Sequence, residues 1–277
     1  VYQHGIGLGS DSLSFISASG GGGGEGSTSF TLEAEVIFPK KSDQTHPEYF
    51  ATNFLTASLF GFHTADSSTP GDFTWPASDY TIQVSAIREQ LESKNVYFQI
   101  DYSAPAGSGQ LTSSLFYDVY DNEKWNLALR FSPEVYGLNL VSGTSAPDRL
   151  IELYGVSSDA GIVANEFLLT ASLSFADRTK FISEPKRIYA GAHHTNFTGS
   201  ILAKTDVKLG SVRYWTSNLN NEVIKTHARD PENVGVLNPD KSTYLYPTSL
   251  SGTAVPEMET LALNWAFDTL TGSSASG

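Results

Sequence analysis

The sequence predicts an all-β protein: a two-sheet antiparallel jelly-roll sandwich with one short C-terminal helix. Apolar and polar residues alternate in many short segments, which is the period-two pattern of half-buried strands. Turn-forming residues separate these segments at intervals of about a dozen residues, as in antiparallel sandwiches and barrels. Before residue 217, no helical periodicity extends beyond about three turns.

The first clear strand is "FTLEAEVIF" (30–38), in which apolar residues alternate from the first position to the last. Glu33 and Glu35 fall on the other face of this strand. We interpret them as a solvated strand face rather than a catalytic carboxylate pair, because they lie opposite the apolar residues. The other predicted strands lie within 80–89, 95–104, 113–133, 149–158, 166–175, 186–193 and 200–215.

The strand around residue 125 shows regular alternation, with large apolar side chains at four successive odd positions. Since alternate residues of a strand share a face, these side chains are expected to enter the core between the sheets. With positions from other strands, the expected core residues are Phe30, Trp125, Leu127, Leu129, Phe131, Ile188, Val212 and Tyr214.

One helix is predicted near residues 218–229, within "SNLNNEVIKTHARDP" (217–231). Asn218 or Asn220 is expected to cap its start, and Pro231 to end it. A helix this short is not stable alone, so it is expected to lie on a strand edge or to cover an open end of the sandwich. The residues that fall at helical spacing are Leu219, Val223, Ile224, His227 and Ala228.

The jelly roll is predicted to span 1–235, and 236–277 to be an extension or linker that leads into a further domain. The last part, "LALNWAFDTLTGSSASG" (261–277), begins like a strand and then consists mostly of Ser and Gly. The first residues, "VYQHGIGLGSDSLSF" (1–15), have neither an initiator Met nor the pattern of a signal peptide. We therefore expect the chain to be a piece of a longer protein.

Composition excludes several classes of partner and site. The 277 residues carry a net charge of −13 and contain no Cys, so a disulfide scaffold and Cys zinc sites are excluded. Nucleic acid and anionic membranes are not expected as partners, because both require clustered Lys and Arg. No cofactor is predicted, although the acidity is compatible with Ca²⁺, which prefers carboxylate and carbonyl oxygens.

No motif in the chain indicates catalysis. The Gly-rich "SGGGGGEGST" (19–28) lacks the Lys-Ser or Lys-Thr pair of a phosphate-binding loop, and neither Gly-x-Ser-x-Gly nor His-Glu-x-x-His occurs. His193 and His194 are adjacent on a predicted strand and would point to opposite faces, so they are not expected to form a metal site. The chain is therefore predicted not to be an enzyme.

A series of segments resembles a known family in the right order. From 188 to 230, a strand is followed by a Phe-x-Gly step at 197–199, by the strand "SVRYW" (211–215) and by the short capped helix. Together with "EKWNLALRF" (123–131) and "RLIELYGVS" (149–157), this series resembles the concanavalin A-like lectin/glucanase superfamily, in its laminin G-like, pentraxin-like branch. The resemblance implies a jelly roll that hosts lectins, hydrolases or structural modules.

One departure from this superfamily bears on activity. Its glucanases carry a strand with Glu-x-Asp-x-Glu or Glu-x-Asp-x-x-Glu, which places the nucleophile and the acid on either side of one glycosidic bond. Neither pattern occurs in this chain, and "EAE" (33–35) lies in the early strand, where the family does not keep its catalytic residues. A glycoside hydrolase is therefore the least favoured of the functions the resemblance implies.

Two function classes remain, and the first is a carbohydrate-binding, lectin-like module. The turn-rich stretch 61–80 combines aromatic rings with carboxylates outside any strand pattern. Sugars are held by aromatic stacking with carboxylate or amide hydrogen bonds, in some proteins together with Ca²⁺. The alternative for this stretch is a loop packed on its own aromatics or on a neighbouring subunit. The candidate ligand-binding residues are Asp66, Asp72, Phe73, Trp75, Asp79 and Tyr80.

The second class is a structural, assembly or adhesion module of a larger surface protein, with other copies or subunits as partners. A Cys-free, weakly charged sandwich rich in Ser, Thr and Gly suits a repeatedly displayed surface. The C-terminal segment 261–277 resembles repeat or linker sequence in large structural proteins of marine tailed phages. That resemblance implies a location in a virion or on an extracellular surface.

Overall fold

The structure is a computed structural model, and it describes eight stretches of the chain. Within them, two antiparallel sheets of six and five strands enclose a common core, and one helix packs outside. This arrangement confirms the predicted all-β sandwich with a single short helix in the described part of the chain. The described residues are 29–40, 54–64, 80–104, 107–133, 149–173, 186–194, 201–235 and 260–267.

The six-stranded sheet has the order β13-β12-β1-β6-β7-β8, the five-stranded sheet β5-β4-β3-β2-β9, and β10 pairs with β11. All pairs are antiparallel. In chain order the elements are β1 (Phe30–Ile37), β2 (Thr56–Thr64), β3 (Tyr80–Arg88), β4 (Val96–Ala104), β5 (Gly107–Thr112), β6 (Lys124–Pro133), β7 (Arg149–Asp159), β8 (Ile162–Leu173), β9 (Lys186–Ala190), β10 (His193–His194), β11 (Ile201–Ala203), β12 (Lys208–Trp215), α1 (Asn221–Arg229) and β13 (Leu261–Ala266).

The core between the sheets contains the predicted residues. Seven of the eight are buried, and Ile188 is partly buried against the same cluster. Aromatic rings form much of this core: Phe30 stacks on Phe131 with ring centroids 5.3 Å apart, and Phe98 lies 4.7 Å from Trp125. Such ring contacts add to the free energy that area burial alone supplies.

The helix α1 begins where the sequence indicates. Asn220 is its N-cap, and the side-chain oxygen of Asn220 accepts a hydrogen bond from the amide of Val223 at 2.9 Å. The helix packs on the outer face of the six-stranded sheet, and not on a strand edge or an open end as predicted. The reason is that this face carries apolar side chains of its own, including Ala128, Tyr154 and Val156, which cover the apolar stripe of the helix.

Part of the predicted extension contributes to the sandwich. Leu261–Ala266 forms β13, which pairs with β12 and makes one edge of the six-stranded sheet. The strand-like start of "LALNWAFDTLTGSSASG" is therefore a strand of this domain rather than a linker.

Candidate functional site

The predicted ligand-binding stretch lies almost entirely outside the described residues. Of its six candidate residues, only Tyr80 falls within them, as the first residue of β3 with its backbone opposite His63 of β2. The stretch thus joins β2 to β3 at one end of the five-stranded sheet. Asp66, Asp72, Phe73, Trp75 and Asp79 are not described, and their role stays a prediction.

The outer face of the five-stranded sheet carries a group of polar side chains along β4 and β5. Val96, Phe98 and Ile100 of β4 are fully buried in the core, so the alternate residues of β4 point outward. The register aligns them with outward residues of β5, which form a surface that we call the open face. The open face comprises Tyr97, Gln99, Asp101, Gln110 and Thr112, all partly or fully exposed to solvent.

Hydrogen bonds connect the polar members of the open face. The amide of Gln99 donates to one carboxylate oxygen of Asp101 at 2.8 Å, and the amide of Gln110 donates to the other at 2.9 Å. Thr112 donates to the amide oxygen of Gln99 at 3.3 Å. Because a carboxylate oxygen accepts more than one hydrogen bond, both Asp101 oxygens keep capacity for a further donor. The two amides therefore hold the carboxylate in place and leave each oxygen able to accept a further hydrogen bond.

The cross-strand row through Asp101 continues toward β9 and becomes buried. Gln83 lies opposite Asp101, and Gly61 and then Tyr189 follow on β2 and β9. A Cβ at Gly61 would collide with the ring of Tyr189, so this ring lies across Gly61, and Tyr189 is only 3% exposed. The face is accessible on its β4–β5 side and closed on its β2–β9 side.

A second polar cluster lies on the outer face of the other sheet, beneath α1. Glu33 is 2% exposed and His227 is 1% exposed, and Nδ1 of His227 lies 2.8 Å from a carboxylate oxygen of Glu33. The other oxygen of Glu33 accepts a hydrogen bond from the amide of Asn126. Trp215 stacks on the His227 ring with centroids 5.3 Å apart. This cluster is sealed between helix and sheet and has no solvent access for a ligand.

The interpretation of Glu33 and Glu35 as a solvated strand face is therefore wrong. Glu33 is buried, and the side chain of Glu35 is only 13% exposed and lies 3.5 Å from the Lys124 ammonium. The physical reasons differ: α1 covers Glu33 through His227, whereas the Glu35 side chain lies against Gly210 of β12. A role of Glu33 in a catalytic pair is not supported by this position, because Glu33 is closed off from solvent beneath α1.

Side chains of the six-stranded sheet also hold the backbone around α1. The Thr31 hydroxyl donates to the Ser217 carbonyl and accepts from the Leu219 amide, at 2.8 and 2.9 Å. Arg130 donates to the Leu219 carbonyl at 3.1 Å, and Arg213 donates to the Pro231 carbonyl beyond the helix. These bonds hold the chain segments that lead into and out of the helix.

A third cluster joins the β3–β4 end of the five-stranded sheet to the segment before β12. Arg88 donates to one oxygen of Asp206 at 2.6 Å, and the Tyr120 hydroxyl donates to the other at 2.7 Å. The Arg88 guanidinium also lies 3.5 Å above the Tyr120 ring. Burial raises the pKa of Tyr120 well above its usual range, and the Asp206 charge adds to this shift, so the phenol stays protonated. The cluster cross-links the fold.

The described residues offer limited chemistry. None of their His, Asp and Glu side chains form a group of three or more that is able to hold a metal ion. No helix in the described stretches is long and apolar enough to cross a membrane. The open face brings a carboxylate, two amides and a hydroxyl together at a solvent-accessible surface, where they can accept and donate hydrogen bonds.

Sequence reasoning missed the open face, although a signal was present. In "NVYFQIDYSA" (95–104), the residues between the apolar positions are Tyr97, Gln99, Asp101 and Ser103. This alternation was sufficient to place an aromatic ring, an amide and a carboxylate on one face of one strand. The contribution of β5 was not visible, because its short segment between turns has only one large apolar residue, Leu111.

Comparisons with known proteins do not assign the chain to a family. No family model and no curated protein matches it. Among solved structures, the enzymatically active domain of bacteriophage CBA120 tailspike protein 2 has 8% sequence identity and a TM-score of 0.45, over 74% of this chain and 24% of that chain. The full-length tailspike protein 2, from an Escherichia coli O157:H7 bacteriophage, gives the same identity and score over 22% of its chain.

A marine PL-14 alginate lyase from Aplysia kurodai is a further similar structure, with 12% identity and a TM-score of 0.33, over 69% of this chain and 70% of that chain. The chain thus spans less than a quarter of the tailspike chains that it resembles. With all three scores below 0.5, these similarities assign no function to this chain.

Proposed function

We propose that this chain is a non-catalytic, laminin G-like adhesion module of a larger surface protein, in a virion or on a cell surface, and that it binds a glycan on the open face. The observation that carries the proposal is the Asp101 carboxylate held between two amides at a solvent-accessible surface. Each sugar hydroxyl both donates and accepts hydrogen bonds, which matches a carboxylate that accepts and amides that do both.

An aromatic ring beside this network supports the same ligand class. Tyr97 points outward two residues before Gln99 on β4, about 7 Å along the strand. Asp101 lies four residues from Tyr97, about 13 Å along the strand, so one sugar ring of an oligosaccharide can stack on the tyrosine while a neighbouring sugar reaches Asp101. The predicted loop 61–80 ends at Tyr80, three residues before Gln83 of the Asp101 row. Trp75 of this loop remains a candidate from the sequence.

The non-catalytic part of the proposal is supported by the use of the buried polar groups. Glu33, His227, Arg88 and Asp206 make their hydrogen bonds to one another or to their immediate neighbours in the fold. Groups used in this way stabilise the fold and do not face a substrate. Ca²⁺ is not required by the proposal, because a carboxylate with two amides can bind hydroxyl groups directly.

A glycan array with the purified chain tests the proposal, followed by titration of any glycan that binds. Asp101→Ala removes the central acceptor and should weaken binding at least about tenfold, since hydrogen bonds to charged groups contribute roughly 1.5–3 kcal/mol. Tyr97→Ala and Trp75→Ala test the two aromatic contributions separately. Glu232→Gln, an exposed carboxylate just beyond α1, is the matched control and should leave the affinity unchanged.

Each outcome decides a different part of the proposal. An empty array overturns glycan binding, whereas binding that survives Asp101→Ala places the ligand elsewhere. Loss of binding in Trp75→Ala alone moves the site to the 61–80 loop. Hydrolysis of a polysaccharide by the purified chain overturns the non-catalytic assignment.

A further inference from the structure

The strand β8 is an unusually long sheet edge. It runs for 12 residues and pairs with β7 from Asp159 opposite Ile162 to Arg149 opposite Leu173; one register shift occurs at Ala164, and the register is unbroken from Asn165 to Leu173. Among the described strands, it is the last one of the six-stranded sheet. A strand at the end of a sheet leaves the backbone N–H and C=O groups of its outer side without a strand partner, and these groups can pair with another chain.

The other edge strands of the two sheets are short or carry features that discourage pairing. β5 has six residues with glycines at 107 and 109, β9 has five residues and begins with Lys186 and Arg187, and β13 has six residues. In contrast, β8 reads "IVANEFLLTASL" and contains no Lys, Arg, Pro or Gly. Natural edge strands are usually protected by shortness, charge, Pro or a bulge. Over the ten residues from Ile162 to Ala171, β8 has a single charged side chain.

That one charge is directed back onto its own protein. Glu166 accepts a hydrogen bond from the Tyr154 hydroxyl at 2.8 Å and lies 3.1 Å from the Lys225 ammonium of α1. Two apolar side chains of the strand are exposed instead: Ile162 by 72% and Leu168 by 46%. The edge therefore combines a long backbone ladder with exposed apolar side chains and a neutralised charge.

We propose that β8 pairs antiparallel with β8 of a second copy of this chain, across a two-fold axis that joins two six-stranded sheets into one continuous sheet. A two-fold axis through Phe167 places Asn165 opposite Leu169 of the second copy and Glu166 opposite Leu168 of the second copy, within the regular part of β8. No two like charges then lie opposite each other, which would be destabilising. An isologous contact of this kind closes on itself and gives a dimer.

The charge balance of β8 favours a second copy over a chain of opposite charge. A basic partner strand would require an acidic edge, whereas the only carboxylate of β8 is already occupied. The whole chain carries a net charge of −13, so two copies repel each other at long range. Salt screens this repulsion, with a Debye length of about 8 Å at physiological ionic strength. The dimer should therefore become tighter as salt concentration rises.

The first experiment measures molecular mass in solution as a function of protein and salt concentration, by light scattering and sedimentation. The chain should form a dimer that strengthens with salt. Leu168→Glu places a carboxylate opposite Glu166 of the second copy and should weaken the dimer at least about tenfold, because like charges directly opposite each other are destabilising. Leu55→Glu is the matched control, because Leu55 is 47% exposed and lies just before β2 in the other sheet. Thermal unfolding of each variant verifies that it is folded.

The second experiment uses the absence of Cys in the native chain. Single cysteines are placed in turn along the outward positions of β8 and treated with a short bifunctional thiol reagent, which bridges opposite and diagonal neighbours. Cross-linking should be strong at one or two adjacent positions near the middle of the strand and should fall away on both sides, with none for Leu55→Cys. The positions are Ile162, Ala164, Leu168, Thr170 and Ser172.

The proposal is independent of the glycan site on the other sheet, so the two fail separately. A monomer at every concentration and salt level overturns it. So does a dimer that Leu168→Glu leaves intact, because that dimer uses another surface. Equal cross-linking at all positions, including Leu55→Cys, reports random collision and also overturns the pairing.

Discussion

Each outer face of the sandwich carries a hydrogen-bonded carboxylate, which is buried on one face and accessible to solvent on the other. On the six-stranded sheet, the Glu33 carboxylate is held by the Asn126 amide and His227, and all three are buried. On the five-stranded sheet, the Asp101 carboxylate is held by the amides of Gln99 and Gln110 and reaches solvent. In both faces the carboxylate is an outward residue of a strand whose alternate residues are buried.

The difference between the faces comes from α1. This helix covers the Glu33 face and excludes water from it. The Glu33 carboxylate therefore forms a buried hydrogen bond between sheet and helix. No described element covers Asp101, and its carboxylate keeps the capacity to bind a ligand. The comparison shows that the position of a charged residue in a strand does not decide its role, whereas what lies above that face does.

The largest expected effect is on the covered face. His227→Ala removes one partner of a buried carboxylate and should lower the free energy of unfolding by about 3–5 kcal/mol, because Glu33 loses its hydrogen bond and gains no water. Urea denaturation followed by tryptophan fluorescence measures this loss. The double variant with Glu33→Gln should recover part of it, since the uncompensated carboxylate is gone. A decrease in the free energy of unfolding of less than about 1 kcal/mol would show that the covered cluster does not stabilise the packing of the helix.

A core substitution between the two faces provides a reference. Leu127 of β6 is fully buried in the inter-sheet cluster. Leu127→Ala should cost about 2–5 kcal/mol, since it leaves a cavity in a packed interior. An unchanged melting temperature would contradict the core assignment.

The open face should respond differently. Asp101→Ala should change the free energy of unfolding by no more than about 0.5 kcal/mol, as is usual for exposed positions away from packed groups. The same denaturation experiment measures it, with Glu232→Gln as the control. A loss comparable to that of His227→Ala would mean that Asp101 is structural and that the two faces do not differ in kind.

The smallest effect concerns the ion pair at the margin of the covered face. The Tyr154 hydroxyl, and then Lys225, lower the pKa of Glu166, while Glu166 raises the pKa of Lys225. The contribution of Glu166 to stability is therefore complete above the ordinary Glu pKa of about 4.3 and is lost as the pH falls through its lowered value. That of Lys225 is complete below its ordinary value of about 10.4 and is lost as the pH rises through its raised value.

Glu166→Gln isolates this pH effect. Stability measured between pH 7 and pH 3 should fall slightly less in the variant than in the native chain. The difference should be small, because the Glu166 side chain is 48% exposed and solvent screens the pair. Identical pH profiles would show that the pair contributes nothing to the helix contact.

The sequence by itself was sufficient for most of the strands, the core and the helix, whereas β2 and β5 were not among the predicted strands. Alternation placed Trp125, Leu127 and Phe131 in the core, because the period of two is a local property of the strand backbone. The cap at Asn220 was also local, since an N-cap acts on an amide three residues away. Features that depend on neighbours within about four residues could be read directly.

Only the tertiary structure decided which outward residues are buried and which remain accessible. Glu33 and His227 are 194 residues apart, and Asp101 meets Gln110 only because β5 folds back on β4. The alternation of apolar and polar residues in β1 would be the same with or without a helix on its outer face. The sequence of β1 therefore could not distinguish a solvated carboxylate from a buried one. The alternating period fixes the two faces of a strand, whereas burial of a face depends on chain segments that approach from far along the sequence.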